Sequence, residues 1–356
     1  MLPPTVFPFD EGKVVRPKGH RRCFFVKLDP DQGGGYLAIK GTEPLLIDEL
    51  LPITRSPAVL AREASMPAVD YLPIREHKVP MALTCREALE EVRVASALFE
   101  RFVARYAEAP ALPLPLAAFK WSDASAAAFQ QTLSPFLSRF SEEIVDLLIR
   151  DGLGCFVYYY PVAPFPRVRD FRLASPEAIT RPQDDVERWT RLFVRILALG
   201  YVPAVTTRQE TGFAIQAQNT VVGGGFVDLD SLTPNEAITS DQEFYESYAL
   251  AVNTLASTVA VYLFGEQAET QGVNKTAGWF GSLLHVHGLM SKYVQEELGR
   301  GARFDPRLQA VAPFNPDFSG LQMLAHCFEV APDIGDLCRA LDGDFEGLRA
   351  APARPG

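Results

Sequence analysis

The stretch Gln216-Ala217-Gln218-Asn219-Thr220-Val221-Val222-Gly223-Gly224-Gly225-Phe226-Val227-Asp228-Leu229-Asp230-Ser231 carries the most specific signal in this 356-residue chain. Two short apolar runs, Thr220–Val222 and Phe226–Leu229, flank three glycines, which predicts a hairpin turned at Gly223–Gly225. Asparagine stands at the entry, and aspartates 228 and 230 fall on one side of the second run by the two-residue period of a strand. Amide and carboxylate oxygens are hard ligands, and a pair on adjoining strand ends can bracket a divalent cation that bridges phosphate oxygens. The same pattern also suits a surface hairpin with a polar approach and an acidic exit.

Working outward, the segments on either side of this hairpin differ in character. Upstream, Cys23–Leu28 and Tyr36–Lys40 read as strands joined by Asp-Pro-Asp-Gln-Gly-Gly-Gly, a connection of turn formers. Arg86–Tyr106 repeats apolar residues at helical spacing (Leu89, Val92, Ala95, Leu98, Phe99, Phe102, Val103, Tyr106) and predicts the first long helix. Prolines 110, 113 and 115 close that helix, Leu116–Trp121 follows, and Ser141–Ile149 predicts another helix. The aromatic run Cys155–Tyr160 reads as a buried strand, and Pro161, Pro164 and Pro166 then turn the chain away. Beyond that point Val186–Leu199, Phe244–Phe264 and Leu283–Leu298 carry helical periodicity. The expected fold class is therefore α+β. It has a β-rich lobe over 1–165, a mostly helical lobe over 166–348 with the hairpin set into it, and a loose tail over 349–356.

This order of elements resembles the protein-kinase fold, two-lobed, with strands first and helices after. Leu37-Ala38-Ile39-Lys40 matches the V-A-I-K strand whose lysine grips ATP phosphates. The helix after it offers Glu91, with Glu87 and Glu90 as neighbours, to pair with Lys40 and orient its ammonium. In the same resemblance Asn219 and Asp228 take the places of the catalytic-loop asparagine and the metal-binding aspartate, each on Mg²⁺. One part is missing. Where H-R-D-L-x-x-x-N has its general base, five residues before the asparagine, this sequence has Ala214, and its first position is Gly212. An ordinary Ser/Thr/Tyr kinase is thereby disfavoured.

A closer resemblance is to the selenoprotein O family, kinase-like proteins that lack that aspartate and transfer AMP from ATP to hydroxyl side chains. Leu37-Ala38-Ile39-Lys40-Gly41-Thr42-Glu43-Pro44 is similar to the family's L-Q-L-K-G-A-G-P, and Gly19-His20 to its G-H-Q-F. Asn219 and Asp228 keep its N-x8-D spacing, and Val162-Ala163-Pro164 with Arg167 and Arg169 resembles its V-A-P-S-H-I-R, whose arginine holds phosphate. Tyr160-Pro161 stands where the family has a further arginine, and nothing after Asp230 matches.

The resemblance implies ATP and Mg²⁺ as ligands, with Lys40 and Glu91 as catalytic candidates; the strand period that puts Asp230 on the side of Asp228 adds Asp230 as a reserve metal ligand or base. The resemblance further implies Lys40, Arg167, Arg169, Asn219 and Asp228 as the nucleotide-binding set, with Asn219 and Asp228 holding the metal. A second resemblance, through the Gln218-Asn219 pair before a hairpin, is to siderophore synthetases, which adenylate a carboxylate. A phosphotransferase on the same fold and a non-catalytic pseudokinase scaffold stay open as alternatives.

Composition narrows the partners. With 34 basic against 44 acidic residues the chain carries a formal charge of −10, which lacks the positive field of nucleic-acid binders. Its five cysteines are scattered without CxxC spacing, so neither a disulfide framework nor a zinc knuckle is expected. No apolar run approaches the roughly 20 residues that span a bilayer, and no basic-then-apolar leader opens the sequence. The expectation is a cytoplasmic protein acting on ATP and an acceptor of unknown identity, without nucleic acid or membrane. His285-Val286-His287 and His326-Cys327 are read as helix histidines rather than a zinc site. Gly33–Gly35 is read as a hairpin turn, Gly272–Thr276 as no Walker loop, and Tyr158–Tyr160 as strand rather than a base-stacking platform.

Overall fold

The structure is a computed structural model, described here over residues 13–15, 23–41, 83–108, 110–124, 127, 152–171, 182–206, 211–213, 215–227, 229, 232–264, 272–311 and 313–314. The architecture is α+β. The chain divides into two compact units, the first built mainly on Met1–Arg167 and Val221–Asp230, the second on Val168–Thr207, Thr211–Thr220 and Ser231–Gly356. The segment Val221–Asp230, which the sequence reading assigns to the helical half, thus groups with the strands.

Among the described residues, the first unit is built on one antiparallel sheet and one long helix. Strands β1 (Val14–Val15), β2 (Cys23–Lys27), β3 (Tyr36–Lys40), β4 (Leu114–Lys120) and β5 (Gly154–Tyr160) lie in the order β1-β2-β3-β5-β4. Helix α1 (Cys85–Tyr106) stands between β3 and β4 in sequence and packs on β4 and β5. The β2–β3 hairpin falls where the sequence puts it, and Gly33, Gly34 and Gly35 all turn with positive φ. Strand β4 tolerates Pro115 because it is the sheet's edge, and its register slips at that point.

Burial in β5 alternates strictly, with Gly154, Phe156, Tyr158 and Tyr160 buried and the residues between them partly exposed. Its register sets Lys40 opposite Phe156 and Ala38 opposite Tyr158, so these four share a face. The other face carries Val26 and Ile39, flanked by Val14, Leu37 and Val157. Gly154 is where α1 meets the sheet, because a Cβ there would lie 2.8 Å from the Cys85 Cα.

Helix α1 opens with a capping box. The Glu87 N–H donates to the Thr84 hydroxyl at 3.1 Å, and the Thr84 N–H donates to the Glu87 carboxylate at 2.7 Å. It ends at Ala107, in the left-handed region, whose N–H returns to the Val103 carbonyl. Its buried residues are Ala88, Glu91, Ala95, Leu98 and Phe102. The apolar periodicity therefore marks the helix correctly but not all of its inner face: Leu89 is 60% exposed, and a glutamate lies inside.

In the second unit, α2 (Val168–Phe171) is a single turn, and α3 (Pro182–Ala198), α4 (Asp241–Phe264) and α5 (Gly272–Gly299) are long. Helix α3 is amphipathic, burying Val186, Trp189, Phe193, Ile196 and Leu197 as its periodicity predicts. Helix α5 packs along both α3 and α4. Polar pairs link these helices: Tyr262 donates to buried Asp185 at 2.6 Å, Tyr293 to the partly exposed Glu187 at 3.0 Å, and Arg195 lies 3.4 Å from buried Glu297.

Strands β6 (Tyr201–Val202) and β9 (Thr233–Pro234) pair with each other, as do β7 (Ala204–Thr206) and β8 (Thr211–Phe213). After β9, Arg307 donates to the carbonyls of Asn235 and Ile238, chelates Asp305 with its guanidinium and lies 3.9 Å from the Phe244 ring centroid. Burial pushes the Asp305 carboxyl up, but hydrogen bonds from Arg307 more than offset this and hold it below the ordinary value.

The hairpin expected over Thr220–Leu229 turns at its glycines and has a further partner. The Val221 N–H reaches the Gly225 carbonyl at 2.9 Å, closing a turn, while Val221 forms an isolated bridge with Arg167 and the Val222 N–H donates to Pro166. Thr220 and Phe226, on either side of this turn, both have strand-type pairing, so the expected turn at the glycines is present and 166–167 pairs in addition. Gly225 sits against Ala111 so closely that a Cβ would lie 1.8 Å from the Ala111 carbonyl oxygen. The helix expected over Ser141–Ile149, the tail over 349–356 and the pair His326-Cys327 lie outside the described residues. Among the described residues no helix is long and apolar enough to cross a membrane.

Candidate functional site

Lys40 ends β3 and Glu91 lies two turns into α1, and the fold brings them together. The Lys40 ammonium is 3.7 Å from Glu91 Oε2, with side chains 16% and 4% exposed. A carboxylate buried to that degree is costly unless paired and hydrogen-bonded. Glu91 meets both conditions, because the buried Tyr158 hydroxyl donates to Oε1 at 3.2 Å while Lys40 faces Oε2. The Lys40 ammonium also stands 5.4 Å from the Phe156 ring centroid. One wall of the pair is thus aromatic and comes from a single strand.

The neighbouring glutamates separate by role. Glu87 is consumed by the capping box with Thr84, and exposed Glu90 lies 3.7 Å from Arg93 on the outer side of α1. Glu91 is the one that lies 3.7 Å from the Lys40 ammonium. Burial of 88, 91 and 95 on one helix face follows from the i, i+3, i+4 geometry, and this selects 91 from the run Glu87–Glu91.

Arg167, at the end of the first unit, is buried, with Nε donating to the Pro164 carbonyl at 2.8 Å. Arg169, in the second unit, is exposed and reaches Gln218 Oε1 at 3.4 Å. Buried Asn219 sits in a turn of the second unit, its N–H donating to the Gln216 carbonyl at 2.7 Å. Contacts that hold that turn include the Val168 N–H to the Thr220 carbonyl, the Arg169 N–H to the Ala217 carbonyl, and the Thr258 hydroxyl of α4 to the Ile215 carbonyl. Asp228, Asp230 and Ala214 lie outside the described residues.

Two site neighbours escape the sequence reading. Phe156 and Tyr158 belong to a run that reads only as a buried strand. Their signal is the alternation of β5 combined with the β3 register, which puts both residues on the lysine's side. Of the histidines, His285 is exposed and 3.1 Å from Gln183 Oε1, whereas His287 is buried. Burial pushes the His287 imidazole down to about 3. Its Nε2 has no hydrogen-bond partner among the described residues. Among the described residues no cluster of three or more His, Cys, Asp or Glu side chains is placed to hold a metal. No protein-family model matches the chain, and no curated protein matches it.

Proposed function

We propose that the protein is an atypical kinase-like enzyme of two lobes that binds Mg-ATP and transfers AMP to a hydroxyl acceptor. The observation that carries this reading is the ion pair between a lysine on the third strand and a glutamate on the helix that follows it, 3.7 Å apart. That pair, on those two elements, is the one that aligns ATP phosphates in kinases. Its burial argues against a solvated acidic face, which has no reason to draw a lysine inward.

In this reading Lys40 holds phosphate oxygens and Glu91 orients Lys40. Asn219 and Asp228 supply hard oxygens for Mg²⁺, which neutralises charge on the phosphates when bound. Arg167 or Arg169 adds positive charge. The acceptor oxygen forms a bond to the α-phosphorus as the bond to the bridging oxygen of the β-phosphate breaks, and pyrophosphate leaves. Ala214 provides no base, so Asp230 takes the hydroxyl proton, and the rate enhancement rests on positioning and charge stabilisation.

The test is incubation with ATP labelled at the α-phosphate and, separately, at the γ-phosphate, with Asp228→Ala as control. Label from α-ATP retained on an acceptor, and lost in the variant, is the expected result. Full activity in a folded Asp228→Ala protein overturns the metal assignment. Label from γ-ATP alone makes the enzyme a phosphotransferase. Release of AMP and pyrophosphate with no stable label makes it a carboxylate-activating ligase, the reading that Gln218-Asn219 favours. If Mg-ATP fails to raise the melting temperature, the protein is a non-catalytic scaffold, since a ligand that binds only the native state must stabilise it.

A further inference from the structure

We infer that Tyr158 is the positioning residue of the Lys40–Glu91 pair, fixing the glutamate so that one carboxylate oxygen faces the lysine. The functional meaning of this rests on the reading of Lys40 as a phosphate ligand; the structural claim does not. At 3.7 Å the lysine–glutamate contact is an ion pair longer than a direct hydrogen bond, so it is weakly directional. The Tyr158–Glu91 contact, at 3.2 Å and buried, is within hydrogen-bond range and specifies one oxygen. Tyr158 is itself held rigidly. It lies in the interior of β5, paired with Ala38 on one side and Pro115 on the other, and it is 2% exposed, with its ring 4.6 Å from that of Phe156.

A glutamate side chain has three rotatable bonds, and burial alone does not choose among its rotamers. The phenol anchored in the sheet makes that choice. It ties the helix that bears Glu91 to the strand lying beside Lys40, so that both partners of the ion pair are referenced to β5. Tyr158→Phe keeps the ring and its packing and removes only the hydroxyl.

The experiment measures the rate at which acetic anhydride labels Lys40 in the full chain, read by peptide mass spectrometry across a pH series. It compares the wild type, Tyr158→Phe, Glu91→Gln and the double variant. Loss of a neighbouring carboxylate favours the neutral, reactive amine. Glu91→Gln should therefore move the whole profile to lower pH, with labelling about tenfold faster at a fixed pH on its rising limb for each unit moved. Tyr158→Phe should move it the same way by a smaller amount, and the double variant should coincide with Glu91→Gln, because the hydroxyl acts through that carboxylate.

A merely structural loosening raises accessibility and the plateau rate and, by hydrating the ammonium, moves the profile if anything to higher pH, opposite to the expected displacement. A Tyr158→Phe profile superimposed on the wild type overturns the inference. So does a double variant displaced by the sum of the two single effects. Should Tyr158→Phe fold poorly, Glu91→Asp provides the second arm: its shortened carboxylate cannot span both partners and should give a Tyr158→Phe-like displacement, and an unmoved profile overturns the inference. Protection of wild-type Lys40 by Mg-ATP is scored separately. Its absence defeats the nucleotide reading and leaves the comparison of profiles intact.

Discussion

Replacing His287 with leucine should make the protein resist acid. The side chain lies 6% exposed on α5, and burial pushes its imidazole from 6.5 down to about 3. In the unfolded chain the imidazole takes up a proton below about pH 6.5, whereas in the folded chain it stays neutral until about pH 3. Across that window the unfolded state binds more protons, so stability falls as pH falls. Each pH unit costs about 1.4 kcal/mol. Between neutrality and pH 4.5 this single group should therefore remove roughly 2–3 kcal/mol, a large fraction of the stability of an ordinary domain.

Leucine has no proton to bind, and it also removes a buried nitrogen that has no hydrogen-bond partner among the described residues. The assay is urea unfolding of both proteins at pH 7.0, 5.5 and 4.5, followed by circular dichroism. Carboxylates titrate alike in the two chains, so their effect cancels in the difference. The stability gap should widen steadily toward acid. Parallel pH dependences, with a constant gap, would refute the assignment of a buried neutral imidazole.

Two further outcomes concern backbone space. Gly225→Ala puts a Cβ 1.8 Å from the Ala111 carbonyl oxygen, so the two segments must separate by more than 1 Å to reach even a 3.0 Å contact. A loss of about 3 kcal/mol in denaturant unfolding is expected, as for overpacking against rigid backbone, and an unchanged midpoint contradicts the close approach. Gly288→Ala goes the other way, because nothing lies within 4 Å of the added Cβ on an exposed helix position. A gain of about 1 kcal/mol is expected from helix propensity, and a destabilised variant would show that the helix surface is covered at that point.

The sheet of the first unit was legible because its strands carry local signals. Turn residues separate Cys23–Leu28 from Tyr36–Lys40, and prolines bound the aromatic run before Pro161. Helix α1 was legible from periodicity, but its inner face was not, since hydrophobicity points to Leu89 and the fold buries Glu91. A buried charge contributes nothing to an apolar count, and the arrival of Lys40 and Tyr158 helps to make its position tolerable. The turn after Asn219 is legible from its glycines, but the additional partner of Val221 is not, for a related reason. Apolar–glycine–apolar patterning predicts pairing between neighbours in sequence, whereas this partner of Val221 is Arg167, more than 50 residues earlier, and no local signal encodes a choice between near and distant edges.

The cluster around Arg307 sets a limit on how far the chain can be shortened. Its guanidinium satisfies the carbonyls of Asn235 and Ile238 and covers the ring of Phe244, all of which come before the two longest helices are complete. A truncation before Asp305 removes those donors and leaves both carbonyls to be satisfied by solvent. Early sequence is thus completed by late sequence, and during synthesis the segment after β9 acquires its final partners only when residue 307 has left the ribosome.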